Sequence, residues 1–134
     1  MREYIGTIDQ GTSSTRFMVF DSQGVCVTMA QKEHAQICPK PGWVEHDAVE
    51  IWQNTLEVVR TALSKAGLTQ HDLVAIGLTN QRESTLVWDR HTGKPLHHAL
   101  VWQDTRVSEL VEQFAATGGS EKNPAYDYPP ISAH

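Results

Sequence analysis

The chain has 134 residues, 40% of them hydrophobic and 20% charged, which suits a single globular domain with a modest core. A formal net charge of -5 without any cluster of Lys and Arg argues against a nucleic-acid-binding protein, which would present a basic stripe. No apolar run nears the roughly 18 residues of a membrane span, and no apolar signal core follows Met1, so we expect a cytoplasmic protein without a membrane span.

The first 33 residues are predicted to form three strands joined by tight turns. The strand patterns cover residues 3–9, 15–21 and 25–33, with Gly11 and a polar turn ending at Gly24 as the interruptions. Because the second apolar run restarts almost directly after the first, these two strands form a hairpin and not a strand-to-helix unit. This order argues against a Rossmann domain.

The turn of the first hairpin carries the groups that a phosphate-binding loop needs. Gly11 lets backbone N–H groups approach an anion, and Asp9 could hold a Mg²⁺ ion or its waters. The candidate phosphate contacts are Thr12, Ser13, Ser14 and Arg16. Neither a G-x-x-x-x-G-K-[ST] loop nor a G-x-G-x-x-G turn occurs, so a nucleotide would be held by a different cradle. The same residue types also make ordinary turns that bind nothing, and this alternative stays open.

An amphipathic helix is predicted for residues 47–65. Asp47 is the expected N-cap and Gly67 the expected stop after the helix. The apolar face is expected to comprise Val49, Trp52, Leu56, Val59 and Leu63. The residues just before the helix are expected to have a structural role, with Trp43 packing down as the anchor of its loop.

The second half of the chain is predicted to add strands, a turn and a second helix. The predicted elements are a buried strand at 73–78, an apolar run at 85–88, a turn at 89–93, a short strand at 99–102 and a helix at 107–116 stopped by Gly118 and Gly119. From Ser120 onward the chain has several prolines and no apolar period, which predicts coil.

Two further polar clusters follow predicted strands, where open α/β sheets collect their ligands. Arg82 beside Glu83 offers hydrogen-bond donors next to an acceptor, which suits a polyol or a sugar. Trp102 could lay its ring against the carbon chain of such a substrate, while Asp104 binds a hydroxyl. A surface ion pair beside a core tryptophan is the alternative interpretation.

The cysteines and histidines predict neither a zinc site nor a disulfide framework. Cys26 and Cys38 are far apart in sequence and are expected to be free thiols. The chain has seven histidines, but no H-E-x-x-H motif is present, so they are expected to be scattered over the surface.

Five strings of residues together resemble a known family. They are IDQGTSSTR at 8–16, PKPGWVEHD at 39–47, IGLTNQRE at 76–83, TGKP at 92–95 and VWQDTR at 101–106. In order and spacing they are similar to the amino-terminal part of the glycerol kinases, within the FGGY family of carbohydrate kinases. The resemblance runs from about residue 3 to about residue 119.

The resemblance implies an α/β fold that forms part of an actin-like, ribonuclease-H-like ATPase domain, with a mixed sheet and flanking helices. It implies ATP with Mg²⁺ as the cofactor and glycerol as the substrate, converted to glycerol 3-phosphate. The nucleotide contacts would be Thr12, Ser13, Ser14 and Arg16, and Asp9 would lie near the metal. Arg82 and Glu83 would contact glycerol, and Trp102 would form part of the wall around it.

The resemblance also sets limits on this chain. The catalytic base of the family lies beyond residue 134, so no catalytic residue is expected here, and the chain is expected to be an inactive fragment. Residues 1–119 would be an incomplete N-terminal kinase domain, and residues 120–134 a divergent tail, either coil or the product of a frameshift. The intact enzyme is expected to be a homo-oligomer. The open alternatives are a kinase of another polyol or of a pentulose, and a non-catalytic module that binds nucleotide or polyol.

Overall fold

A computed structural model of the chain describes residues 3–117. The strands are β1 (Tyr4–Gln10), β2 (Ser14–Phe20), β3 (Cys26–Glu33), β4 (Glu45–His46), β5 (Leu73–Asn80) and β6 (Ala99–Leu100), and the α-helices are α1 (Ala48–Lys65) and α2 (Ser108–Ala116). A short 3-10 helix, Gln70–Asp72, precedes β5. The first three predicted strands, the strand at 73–78 and both helices are therefore confirmed within two residues at most of their ends.

Four strands form one mixed sheet in the order β3-β2-β1-β5. β1 is antiparallel to β2 and parallel to β5, while β2 is antiparallel to β3. The predicted hairpin is thus confirmed, and β5 returns beside β1 after the crossover through α1. Because β1 and β5 run in the same direction, their carboxyl ends meet at one edge of the sheet, with Gln10 opposite Asn80.

The core lies between α1 and one face of β2 and β3. Every second residue of β2 is buried, and Phe17 and Val19 have no exposed surface at all. The backbone of β1 passes close to the Phe17 ring, since a Cβ added at Gly6 would lie 2.7 Å from the ring atom Cζ. Burial of an aromatic or aliphatic side chain of this kind contributes about 2 kcal/mol to stability, so this hairpin–helix contact is a main anchor of the fold.

Both ends of α1 follow the predicted capping chemistry. The Asp47 carboxylate accepts hydrogen bonds from the backbone N–H of Val49 at 2.8 Å and of Glu50 at 3.4 Å. At the other end Gly67 adopts a φ of +64°, which favours glycine. The N–H of Leu68 then reaches back to the carbonyl of Leu63 at 2.9 Å. Local sequence thus determines where this helix begins and ends.

The predicted apolar face of α1 is only partly correct. Leu63 is buried and Leu56 and Val59 are half-buried, whereas Val49 and Trp52 are 45% and 61% exposed. The face against the sheet instead carries small or polar residues, namely Asn54, Val58 and Ala62. Small side chains let the helix approach closely enough for the Thr28 hydroxyl to donate to the Ala62 carbonyl at 3.0 Å. The face of α1 that packs on the sheet is therefore the one that allows close approach, and the large side chains of Val49 and Trp52 remain exposed.

The strand predicted to be buried at 73–78 is exposed. Val74, Ile76 and Leu78 are between 55% and 73% exposed. The reason is that β5 is the last strand of the sheet and, within residues 3–117, pairs only with β1. Helix α1 covers β2 and β3 but not β5, so the apolar side chains of β5 remain exposed.

The segment between β5 and α2 has little regular structure. Residues 85–88 make only isolated bridges, Thr85 with Leu100 and Trp88 with Pro95. The short strand predicted at 99–102 is reduced to β6, which pairs with β4. The turn predicted at 89–93 is confirmed, and the Asp89 carboxylate accepts from the N–H groups of His91 and Thr92. The predicted stop at Gly118 and Gly119 and the coil from Ser120 lie outside the described residues.

The remaining composition-based predictions have mixed outcomes. Cys26 and Cys38 are exposed free thiols, as predicted. The prediction of surface histidines is wrong for two of them, because His46 is fully buried and His34 is only 6% exposed. Across the described part of the chain, no helix combines the length and the apolar character needed to cross a bilayer.

Candidate functional site

A cleft of about 480 Å³ opens where β1 and β5 end side by side. Its lining residues are Gly11, Thr12, Asn80, Gln81, Arg82, Glu83 and Trp102. The structure therefore brings part of the predicted phosphate-binding turn together with three of the predicted polyol contacts. This position agrees with the general location of ligand sites in open α/β sheets, at the carboxyl ends of the strands.

The hairpin turn beside the cleft is held by a backbone hydrogen bond of its own and by the side chains of His34 and Gln36. The Gly11 N–H donates to the Ser14 carbonyl at 2.9 Å and closes the turn. The Thr12 carbonyl lies 2.8 Å from His34 Nε2 and 3.1 Å from Gln36 Nε2, so both side chains fix its position. Gly11 and Thr12 of this turn line the cleft.

The other residues of the predicted phosphate site lie on the hairpin beside the cleft and are not among its lining residues. Asp9 and Arg16 face each other across the β1–β2 pair. Gln31 connects two members of the group, since its Oε1 accepts from Arg16 Nε at 3.1 Å and its Nε2 donates to Ser14 Oγ at 2.9 Å. Ser13 is exposed, and its carbonyl accepts from the His34 N–H.

Arg82 and Glu83 enter the cleft directly after β5. The ladder between the parallel strands ends with the Gln81 N–H donating to the Gln10 carbonyl at 2.6 Å, so the next two residues leave the sheet edge at a defined point. Both are exposed. Glu83 has a φ of +63°, which is unusual for a residue with a side chain and costs about 1 kcal/mol. Such strain is common at ligand sites, where it aims a side chain.

Trp102 also lines the cleft and is hydrogen-bonded to the hairpin turn. Its indole Nε1 donates to Thr12 Oγ1 at 3.0 Å, while the ring stays 53% exposed. An exposed aromatic face next to charged donors and acceptors is suited to the carbon chain of a polyol. The structure thus places an apolar surface, a guanidinium and a carboxylate around one opening.

Asp104, predicted to bind a substrate hydroxyl, does not line the cleft. Its Oδ1 accepts from Arg106 Nε at 2.8 Å, and its Oδ2 accepts from Arg106 Nη2 and from the Val44 N–H, both at 2.7 Å. The Arg106 hydrogen bonds hold the pKa of the Asp104 carboxyl at about 2. Both carboxylate oxygens are therefore engaged within the protein, and the residue fastens the segment after Trp102.

Glu45 and Trp43 also contact Arg106 and form one cluster with it and Asp104. Glu45 accepts from Arg106 Nη2 at 2.7 Å and contacts His98 Nδ1 at 3.0 Å, and these bonds lower the pKa of its carboxyl. The Arg106 guanidinium also lies 3.8 Å from the centre of the Trp43 ring. The expected structural role of the residues before α1 agrees with these contacts.

Sequence reasoning missed a group of buried side chains behind the cleft. His46 has no exposed surface; its Nε2 lies 2.8 Å from Gln36 Oε1, and its Nδ1 lies 3.2 Å from Gln81 Nε2. Burial, with a smaller effect from His34, lowers the pKa of His46 to about 4, so the ring is neutral at pH 7. Only the position of Gln81 after a strand could have signalled this group in the sequence.

A magnesium ion would fit this site through one carboxylate, with water and substrate phosphates as its other ligands. Among residues 3–117, no cluster of three or more His, Cys, Asp or Glu side chains is arranged to hold a metal ion. Mg²⁺ in nucleotide sites usually keeps several waters and binds through substrate phosphates and one or two carboxylates. The single carboxylate of Asp9, half-buried beside the predicted phosphate-binding turn, is compatible with this mode.

Comparison with known proteins places these features in a family. The family model for the N-terminal domain of the FGGY carbohydrate kinases matches residues 4–126. The glycerol kinase of Methylobacterium radiotolerans is 62% identical over 122 residues, which are 91% of this chain and 24% of that protein. The chain thus spans about a quarter of the length of the curated relatives that it matches.

Solved structures show the same fold. The crystal structure of Plasmodium falciparum glycerol kinase with ADP superposes with a TM-score of 0.78 at 41% identity, covering 86% of this chain and 23% of that one. The gluconate kinase of Lactobacillus acidophilus reaches a TM-score of 0.81 at 22% identity over 91% of this chain and 24% of its own, which supports the fold alone. The predicted actin-like α/β ATPase fold is thereby confirmed. The chain belongs to the FGGY family of carbohydrate kinases, and it matches the N-terminal domain of that family.

Proposed function

We propose that this chain forms the part of an ATP-dependent glycerol kinase that holds glycerol and the phosphates of the nucleotide. The observation that carries the proposal is the cleft in which the Gly11–Thr12 turn meets Arg82, Glu83 and Trp102. The high identity to proteins named glycerol kinase favours glycerol over a larger sugar. The P. falciparum glycerol kinase crystallised with ADP supports a nucleotide as the second ligand.

Glycerol would lie between Trp102 and the end of β5. Arg82 would donate hydrogen bonds to its hydroxyl oxygens, and Glu83 would accept from its hydroxyl protons. The exposed ring of Trp102 would cover the carbon chain. We assign Asp104 an indirect role, because its contacts with Arg106 and Val44 hold the segment that presents Trp102.

The phosphates would lie over the hairpin turn. Thr12 and Ser13 would donate from their hydroxyls, and Ser14 and Arg16 would contribute a further hydroxyl and a positive charge. Asp9 would hold the Mg²⁺ ion through water. When bound, that ion would neutralise charge on the phosphate oxygens.

The reaction would transfer the terminal phosphoryl group of ATP to a primary hydroxyl of glycerol. The new bond joins the glycerol oxygen to phosphorus, the bond from phosphorus to the ADP oxygen breaks, and the hydroxyl proton passes to a base. We assign no such base within this chain, so its residues would act by binding and by alignment of the two reactants. Residues 1–119 would constitute part of the N-terminal kinase domain, in a cytoplasmic homo-oligomeric enzyme.

A hybrid enzyme tests the proposal. Residues 1–119 of this chain would replace the equivalent segment of the Methylobacterium radiotolerans relative, and glycerol-dependent ADP release would be measured. Arg82→Ala should lower kcat/KM for glycerol by about 100-fold, since a charge-assisted hydrogen bond to the substrate is lost. Arg90→Ala, in the exposed 89–93 turn, is the matched control and should change kcat/KM less than twofold.

Two results would contradict the proposal. One is a folded hybrid that binds nucleotide but phosphorylates a pentulose or gluconate better than glycerol, which would favour another member of the family. The other is equal activity of the Arg82→Ala and Arg90→Ala hybrids, which would remove Arg82 from the substrate site.

A further inference from the structure

A directional series of hydrogen bonds runs through the protein behind the cleft. It starts at the Thr12 carbonyl, which can only accept, and Gln36 Nε2 donates to it at 3.1 Å. This bond orients the Gln36 amide, so that its Oε1 faces His46 Nε2 at 2.8 Å and accepts from it. His46 Nε2 therefore carries the proton.

The direction of the series continues to the other side of the cleft. Because His46 is neutral and protonated on Nε2, its Nδ1 is an acceptor, and Gln81 Nε2 donates to it at 3.2 Å. The opposite tautomer would turn both amides over and set Gln36 Oε1 against the Thr12 carbonyl, where two acceptors would repel. One protonation state and one tautomer thus give each bond of the series a donor and an acceptor, and Gln81 Oε1, which lies outside the series, is buried without a hydrogen-bond partner among the described residues.

The two ends of the series are the two arms of the cleft. Thr12 belongs to the hairpin turn, and Gln81 is the residue directly before Arg82 and Glu83. His46 lies between them, fully buried on β4 and 35 residues away from Gln81 along the chain. It links the two arms from the side of β4, whereas Gln10 links them along the sheet edge, where its carbonyl accepts from the Gln81 N–H at 2.6 Å.

We propose that His46 is a positioning residue that sets the spacing and orientation of Arg82 and Glu83 relative to the Gly11–Thr12 turn. It touches neither proposed ligand and acts through Gln81 on one side and Gln36 on the other. The inference rests on the proposed function in that the spacing of these arms determines how glycerol meets the phosphates. Its structural content can be tested without any activity.

The structural test uses NMR spectroscopy of the 134-residue chain labelled with ¹⁵N. We expect the His46 ring to be neutral at pH 7, with the proton on Nε2. His46→Phe keeps an aromatic ring but removes both bonds, and it should shift the backbone amide resonances of Arg82, Glu83 and Thr12. His46→Gln, which offers one amide donor and one acceptor, should restore part of the original shifts.

A buried polar residue away from the cleft provides the matched control. Asn54 is 3% exposed and donates to the Glu33 carbonyl at 3.1 Å, so Asn54→Leu also removes a buried hydrogen bond. It should lower stability yet leave the Arg82 and Glu83 resonances in place. A proton on Nδ1 of His46, or unchanged Arg82 and Glu83 resonances in His46→Phe, would overturn the proposal.

The functional test uses the hybrid enzyme described above. His46→Phe should raise KM for glycerol about tenfold, with a smaller change in kcat, because the binding arm is displaced while the transferred group is not. His46→Gln should recover most of the loss, and Asn54→Leu should leave KM unchanged. Equal KM effects of His46→Phe and Asn54→Leu would mean a purely structural role. An inactive parent hybrid would contradict the proposed function alone, and the NMR result would then decide the role of His46.

Discussion

The indole N–H of Trp102 donates to the Thr12 hydroxyl oxygen at 3.0 Å, joining two residues that lie 90 positions apart. Both residues line the cleft, so the bond joins the proposed phosphate-binding turn to the aromatic part of the lining. Because Thr12 Oγ1 accepts from the indole, its own proton is directed elsewhere and is available to a phosphate oxygen. One hydrogen bond thus links the two halves of the proposed site.

The Thr12–Trp102 bond predicts coupling between the proposed nucleotide contact and the proposed glycerol contact. In the hybrid enzyme, Thr12→Val and Trp102→Phe should each raise KM for ATP, because each removes the acceptor or the donor that orients the Thr12 proton. The double variant should be less impaired than the sum of the single effects by about 1 kcal/mol. Steady-state kinetics of the four proteins gives this value. Additive effects would show that the bond does not orient Thr12. As the control, Thr12→Ser keeps the hydroxyl and should behave like the parent.

Burial of a neutral histidine predicts a loss of stability in weak acid. His46 has a pKa lowered from 6.5 to about 4, so the unfolded chain binds a proton more readily than the folded one. Its stabilising contribution is complete above pH 6.5 and declines as the pH falls toward 4, by about 3 kcal/mol in total. Urea unfolding of the 134-residue chain at several pH values between 7.5 and 4 would measure this loss.

The variant His46→Phe is the control for that pH dependence. It has no titrating group at the position, so its free energy of unfolding should vary less between pH 6.5 and 4.5 than that of the parent. Asp104 titrates in a lower window, since its pKa is about 2, and should not contribute to the difference. Identical pH profiles for parent and variant would mean that His46 accepts a proton in the folded state without cost.

Local chemistry explains which parts of this fold could be predicted from sequence. The hairpin of β1 and β2 follows from alternating apolar residues around a Gly-containing turn, and the ends of α1 follow from Asp47 and Gly67. Each signal lies within a few residues of the feature that it predicts. The rule that binding residues lie after strands made Arg82 and Trp102 candidates, and the resemblance to the glycerol kinases then implied that they contact glycerol.

The features that sequence reasoning missed depend on distant partners. The apolar run of β5 does not reveal that the strand lies at the edge of the sheet with its side chains exposed. The partners of His46 lie 10 and 35 residues away along the chain. Asp104 resembled a ligand-binding carboxylate, but it is bound by Arg106, which also reaches Glu45 over 61 residues. Such pairings appear only once the chain is folded.

Removal of Arg106 should destabilise the segment that presents Trp102. The variant Arg106→Met keeps the side-chain length but leaves the carboxylates of Glu45 and Asp104, each only 5% exposed, without their cation. We expect the Tm of the 134-residue chain to fall by several degrees. Lys32→Met breaks the exposed ion pair with Glu57 and should leave Tm nearly unchanged. Equal changes in Tm for the two variants would contradict a structural role for the cluster.

Gly6 and Gly77 lie on the neighbouring parallel strands β1 and β5, but their surroundings differ. A Cβ at Gly6 would lie 2.7 Å from Phe17 Cζ, whereas a Cβ at Gly77 would find only Thr7 Cγ2 at 3.9 Å. Gly6→Ala should therefore force the buried Phe17 ring aside and cost about 2 kcal/mol in the free energy of unfolding. Gly77→Ala should be neutral or slightly stabilising, since the unfolded chain loses conformational freedom. Urea unfolding of both variants tests the pair, and equal destabilisation would mean that the Phe17 ring moves aside without cost.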